Sequence, residues 1–212
     1  MPSVTRKTQS NRSRRRDALR RELLVAIEEL VSDGESFTEI SVERLVSKTG
    51  ISRSTFYVYF EDKGELLRAW FQDIRSQVDD AVGGWWALDG DASRDDLRRA
   101  LSTVVTAYRP HIPLMAAAAD AAAYDPAVRE EFEELVQRNT AGLRRHIQDG
   151  QKAGAVAPNL LPAETAAWLT WMAERGFHQL VRDASDEDLE RLVESYTDII
   201  WSTLYAPATA RS

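Results

Sequence analysis

The 212-residue chain contains no cysteine, which excludes disulfides, thiolate metal sites and cysteine nucleophiles. No run approaches the roughly 20 apolar residues that a membrane-spanning helix needs. The N-terminus lacks the apolar stretch of a secretory signal. Its Arg- and Ser-rich, acid-poor character faintly resembles an organelle transit peptide. A specific motif follows almost at once, however, and a cytoplasmic protein is the expectation. Histidine is scarce: His111, His146 and His178 stand at no metal-ligand spacing, and Glu174 with His178 has no second such pair. Asp95-Asp96 lacks the further aspartate of a diphosphate-binding metal site, and Ser195 and Ser202 have no His or Asp partner that spacing suggests. No catalytic residue, metal or cofactor is therefore expected. Alternation at period two is also absent, which leaves no candidate strand.

What is present is an ordinary soluble balance, 43% hydrophobic and 29% charged residues, with the charge polarised. The net charge is −7, yet residues 1–21 hold eight Lys or Arg (among them Arg14, Arg15 and Arg16) against the single acid Asp17. A basic arm, taken as disordered over 1–15, on an acidic body suggests a polyanion touched at one end only.

Apolar spacing is helical nearly throughout. Leu19, Leu23, Leu24, Ile27, Leu30 and Val31 form one stripe, ended near Gly34. Ser41 can cap a short second helix that Gly50 breaks, and Ser52 a third running to about Phe60. Asp62 and Glu65 stand at capping-box spacing for a fourth helix towards residue 82, and "GGWWALDGD" (83–91) reads as a loop. Further helices are expected from Ser93 to Tyr108, over "LMAAAADAAAY", from Asp125-Pro126 to about Lys152, from Leu161-Pro162 to about Val181, and from Ser185 to about Leu204. The expectation is an all-α chain of about nine helices.

Helices two and three are too short to stand alone, since isolated helices below about 12–15 residues are marginal. Two short helices meeting at a glycine turn against a longer one form a helix-turn-helix, whose second short helix enters the DNA major groove. In "GISRSTFYVYFEDK" (50–63), Phe56 and Phe60 share one stripe and can pack on Ile27, Leu45 and Ile51. Arg53, Ser54, Thr55, Tyr57 and Tyr59 are left facing outward. A guanidinium near the helix start can donate twice to guanine. The hydroxyls and Lys63 suit phosphate, and the first-turn amides after Ser41 can hold another phosphate. Thr49 and Ser52, flanking the turn, complete the candidate DNA-facing set.

These residues carry a resemblance. Residues 40–71, "ISVERLVSKTGISRSTFYVYFEDKGELLRAWF", resemble the DNA-binding head of the TetR family of bacterial transcriptional regulators. "GAVAPNLLP", "WMAER" and "IIWSTLY" are similar to its EthR-like subfamily. The resemblance implies a three-helix DNA-binding domain over 16–62 and a helical effector-binding and dimerisation domain over 63–212. It also implies pocket positions at Leu97, Leu101, Val104, Tyr108, Asn139, Leu143, Thr170, Ala173, Phe177 and Trp201. Where EthR-like proteins carry an asparagine pair, this chain has Thr170 and Ala173. With Tyr108, Asn139 and Thr170 as the remaining polar groups, a mostly apolar, uncharged effector is expected.

Apart from the resemblance, the region beyond the head contains all six tryptophans, Trp70, Trp85, Trp86, Trp168, Trp171 and Trp201, large aromatics that suit an apolar pocket. The stripes of the last two helices (Leu169, Phe177, Leu180; Leu192, Tyr196, Ile199, Leu204) suit a two-fold four-helix interface. The expected function is a homodimeric, ligand-responsive repressor of a pseudo-palindromic operator. The competing reading is a helical interaction protein binding RNA or an anionic surface through its basic arm.

Overall fold

The computed structural model describes the backbone of residues 4–205 and the side chains of residues 13–74 and 77–205. Among the described residues there are nine α-helices and no strand: α1 (Val4–Ser32), α2 (Val42–Thr49), α3 (Arg53–Tyr59), α4 (Lys63–Trp86), α5 (Arg94–Tyr108), α6 (Ile112–Ala121), α7 (Pro126–Ala153), α8 (Pro162–Gly176) and α9 (Asp186–Leu204). No helix of the described residues is long and apolar enough to cross a membrane.

The helix starts follow their caps. The hydroxyls of Ser41, Ser52, Ser93 and Ser185 each accept from the backbone N–H three residues on, satisfying donors that have no partner inside the helix. Ser93 and Asp96 form a full capping box. At α4 only half of the expected box forms. Glu65 N–H donates to Asp62 at 2.7 Å, while the Glu65 carboxylate accepts from Glu61 N–H instead. Between α2 and α3, Gly50 adopts φ 70°, a left-handed conformation that side-chain-bearing residues seldom reach.

Three expectations are corrected. The backbone is helical from Val4, through residues expected to form a disordered arm, so no break separates the arm from α1. The side chains of residues 4–12, and all of Met1–Ser3, lie outside the described residues. Helix α4 continues through Gly83–Trp86, read from sequence as loop. Burial of Trp85 rewards the extra turn beyond what two glycines cost in helix propensity. Finally, the segment after α8 reaches Val181 as expected, but its last turn, Phe177–Val181, is a π-helix.

The chain divides into two compact units. The first ends at Gln72 and regains Pro113–Phe132; the second comprises Asp73–Ile112 and the chain from Glu133 onward. In the first, α1 packs on α2 and α2 on α3. Leu23, Ile27, Leu30, Ile40, Leu45, Phe56 and Leu66 are all fully buried there. In the second, α5 packs on α9, and the core forms two apolar clusters. One contains Trp85, Leu97, Leu101, Leu143, Ile147 and Ile200; the other contains Val82, Val104, Val105, Phe177, Val181 and Val193. The chain passes between the units at residues 72–73, 112–113 and 132–133. Helix α4 is therefore not the sole covalent link that a two-domain reading of the sequence implies, since α7 crosses as well.

Candidate functional site

The head of the first unit presents α3. Phe56 and Phe60 turn inward, buried, with ring centroids 5.6 Å apart. That leaves Arg53, Ser54, Tyr57 and Val58 exposed, with Thr55 and Tyr59 half-buried. Tyr57 keeps 49% of its surface in solvent, although its ring meets Phe56 edge-on. The Arg53 guanidinium lies 5.7 Å from the Tyr57 ring centre and pairs with Glu43. Exposed pairs of this kind are worth about 0–1 kcal/mol, so Arg53 is held in place yet free to exchange partners. The Ser52 hydroxyl lies 2.8 Å from both the Ser54 and the Thr55 hydroxyls, a cluster of small donors at the start of α3.

Other expected contacts behave differently. Thr49 donates to the Leu45 carbonyl at 3.0 Å, so its hydroxyl serves its own helix. Ser41 is exposed and caps α2. Arg14 and Arg15 are exposed; Arg16 pairs with Glu65 and lies over the Phe60 ring. Lys63 departs furthest from its expected role as a phosphate cation. Its ammonium donates to the carbonyls of Phe37, Thr38 (2.9 Å) and Ile40 (2.7 Å) and sits 4.6 Å from the Phe37 ring centre. Partial burial lowers its pKa. All three N–H donors are engaged in holding the α1–α2 segment against the start of α4.

In the second unit the expected pocket residues divide between two apolar clusters. Leu97, Leu101 and Leu143 fall in one apolar cluster, with Trp201 packed against it. Val104 and Phe177 fall in the other, with Tyr108 and Ala173 alongside. Trp86 and Tyr196 touch both. Thr170 is half-buried on α8 and Asn139 half-buried on α7. Tyr108 and Phe177 rings lie 5.5 Å apart, and Phe177 meets Tyr196 edge-on. Burial, reinforced by the nearby Glu174 carboxylate, pushes the Tyr108 hydroxyl far above its ordinary pKa.

Several residues of this site were missed. Trp86 lay in a segment read as loop. Glu174 stands out in the sequence through its spacing to His178, yet Thr170, Ala173, Glu174 and Phe177 also recur at the spacing of one helix face. A polar relay had no sequence signal, because its members lie far apart in the chain. Trp85 Nε1 donates to the Tyr205 hydroxyl at 3.1 Å, which lies 2.6 Å from His146 Nε2, while His146 Nδ1 is 3.3 Å from the Trp86 carbonyl. The consistent assignment has Tyr205 donating to Nε2 and Nδ1–H donating to the carbonyl, hence a neutral ring. Burial lowers the His146 pKa accordingly. The Tyr205 hydroxyl is raised by burial to about 12, although the Trp85 hydrogen bond opposes the rise.

The tryptophans divide between core and surface. Trp85 is buried, but Trp168 and Trp171 stand 79% and 48% exposed on the outer face of α8, joined by Met172, Leu180 and Ile199. Between α8 and α9 runs an apolar groove of about 130 Å³ lined by Met172, Gly176, Leu180, Leu192 and Ile199 among others. Leu169, Phe177 and Leu204, expected on a subunit interface, are instead buried within the chain.

Residues 23–70 match the family profile described as "Bacterial regulatory proteins, tetR family", and residues 97–206 match "Transcriptional regulator EthR, C-terminal domain". The chain is 28% identical over 207 residues to the HTH-type transcriptional regulator EthR of Mycolicibacterium smegmatis, covering 96% of this chain and 94% of the relative. It is 30% identical over 155 residues to EthR of Mycobacterium tuberculosis, covering 72% of this chain and 71% of the relative. Among solved structures, the transcriptional regulator FadR from Bacillus subtilis in complex with stearoyl-CoA superposes with a TM-score of 0.65 at 14% identity. That match covers 84% of this chain and 96% of FadR.

Proposed function

The chain belongs to the TetR family of DNA-binding transcriptional regulators, with a C-terminal domain of the EthR type, and on that premise we propose that it is a homodimeric repressor released from a pseudo-palindromic operator by a small molecule. It is a regulator, not an enzyme. The observation that carries the proposal is the outer face of α3. An exposed arginine, small hydroxyls and a half-exposed tyrosine follow a left-handed glycine turn, the arrangement that suits a helix in the major groove. Arg53 reads a base, Ser54, Thr55 and Tyr57 secure phosphate and sugar, and the basic N-terminal turns of α1 add sequence-independent attraction.

In this reading residues 16–62 read DNA, residues 63–212 bind effector and pair two copies, and the protein works in the cytoplasm, where its operator lies. Two recognition helices one DNA turn apart, roughly 34–36 Å, would match successive major grooves. Effector binding in the second unit biases the dimer towards a conformer whose heads miss that spacing, through helices α4 and α7, each of which contributes to both units. A tenfold loss of operator affinity requires a differential binding of about 1.4 kcal/mol. The FadR relative solved with stearoyl-CoA is a precedent for a small-molecule ligand in this fold.

The test is fluorescence anisotropy of the full chain on labelled fragments of its genomic neighbourhood over a salt series. One fragment should bind tightly and steeply in salt. Arg53→Ala should lose about 1–3 kcal/mol and relax preference at one base position, and Tyr57→Ala should weaken binding throughout. Equal, weak binding to every fragment, unaffected by either substitution, would remove the operator-binding role.

A further inference from the structure

Three buried polar atoms in the second unit have no hydrogen-bond partner: Glu174 Oε2, Asn139 Oδ1 and Trp86 Nε1. Native interiors leave few such groups unmatched, and each calls for a physical explanation. They come from α8, α7 and α4 and belong to the faces those helices turn inward. On α8 and the π turn that continues it, Trp171, Met172 and Arg175 are exposed while Thr170, Ala173, Glu174 and Phe177 are not. Ala173 and Phe177, which flank Glu174 on that face, pack in the second apolar cluster together with Tyr108, and this puts the carboxylate beside that cluster. Trp86 packs against both clusters, and its six-membered ring lies so close over Gly142 that a Cβ there would come within 2.3 Å of it. Asn139 precedes Gly142 by three residues, on the same face of α7.

The chemistry of the set is lopsided. Two unmatched oxygens accept hydrogen bonds, one of them on a carboxylate, against a single unmatched donor. No described cation pairs with Glu174. Three arginines of this unit are engaged elsewhere: Arg94 with Glu194 and Asp198, Arg109 with Asp186, Arg138 with Asp79 and Glu134. A ligand completing this set must donate more than it accepts, and positive charge on the donor strengthens its bond to the carboxylate.

We propose that the effector of this chain is an amphiphilic primary amine, its ammonium group held by Glu174 and Asn139 and its apolar body taken between the two clusters. The proposal rests on the effector-binding reading above and deepens it. It departs from the uncharged effector expected when Tyr108, Asn139 and Thr170 alone were counted. Trp86 Nε1 is left to donate to a hydroxyl or carbonyl close to the amine.

The test uses the full chain at pH 7 with three probes of equal chain length: n-octylammonium chloride, 1-octanol and sodium octanoate. Binding is followed by tryptophan fluorescence and thermal shift, and operator release by anisotropy on the tight-binding fragment. The ammonium probe should bind at least tenfold more tightly than the other two. Glu174→Gln should abolish that preference by weakening ammonium binding at least tenfold, and Asn139→Leu should reduce it. The unliganded Glu174→Gln protein should melt no lower than the parent, which separates loss of recognition from loss of fold. Equal binding of all three probes, binding of none, or a preference that survives Glu174→Gln overturns the amine assignment. If the ammonium probe binds as expected but no fragment is bound specifically, the regulator reading fails and the amine site stands.

Discussion

Lys63 donates to three backbone carbonyls of the segment between α1 and α2, and its removal would strip those acceptors at once. Lys63→Met keeps the length and apolar body of the stem, so the change isolates the ammonium. It is expected to cost about 1–3 kcal/mol, the range for leaving buried polar groups unmatched, read as a lower midpoint in thermal or denaturant unfolding. A lysine that touched only phosphate would leave the midpoint unchanged and instead lower the slope of log affinity against log salt by about one. The two measurements decide between the roles. As a cation closing the recognition motif, Lys63 was legible in the sequence. Its acceptors were not, because they lie 23–26 residues upstream and only the folded head brings them together. Arg53 is the opposite case: its position three residues after Gly50 was enough to turn it outward.

At the scale of elements, α8 separates two faces that one apolar stripe on a helical wheel had merged. Leu169 and Ala166 face the core, and Phe177 follows them in the π turn, while Trp168, Trp171 and Met172 face solvent with Leu180 beyond them. Large exposed aromatics that cluster rather than scatter mark an interaction surface, and tryptophans commonly dominate the binding energy of such interfaces. Replacing Trp168 and Trp171 together by Glu is expected to shift a dimer towards monomer by at least 2 kcal/mol, roughly 30-fold in dissociation constant, with helicity retained. Sedimentation equilibrium measures this directly. An unchanged association constant would mean that the pairing surface lies elsewhere. The caps and the Gly50 turn were readable because they depend on neighbours within four residues. The continuation of α4 through Gly83–Trp86 was not, because its reward is a tryptophan buried against distant helices.

Across the molecule, stability should depend on pH through buried imidazole. His146 and His111 are both held below their ordinary pKa by burial; for His146 the Trp86 carbonyl and Asp149 oppose the shift only in part. A group whose folded pKa is depressed leaves the unfolded chain binding more protons at mildly acid pH. Stability is therefore full above about 6.5 and declines as pH falls through the folded values. Each tenfold difference in proton affinity between the two states is worth about 1.4 kcal/mol. The melting temperature should fall between pH 7.5 and 5.5, and His146→Gln should flatten that fall. A slope identical in the variant would remove His146 as a contributor. Asp96, Asp149 and Asp188, whose pKa values are lowered by hydroxyl or ammonium partners, enter only at more acid pH.

By itself the sequence determined the all-helical class, the helix starts, the glycine turn and the outward set on α3. All of these follow from periodicity and from hydrogen bonds that close within a few residues. The tertiary structure decided which apolar residues remain outside, where Lys63 sends its protons, and how His146, Tyr205 and Trp85 join. It also decided that a carboxylate at Glu174 stands unmatched beside two apolar clusters. Those features depend on groups 23–120 residues apart in the chain, and no local pattern encodes such a meeting until the helices have packed.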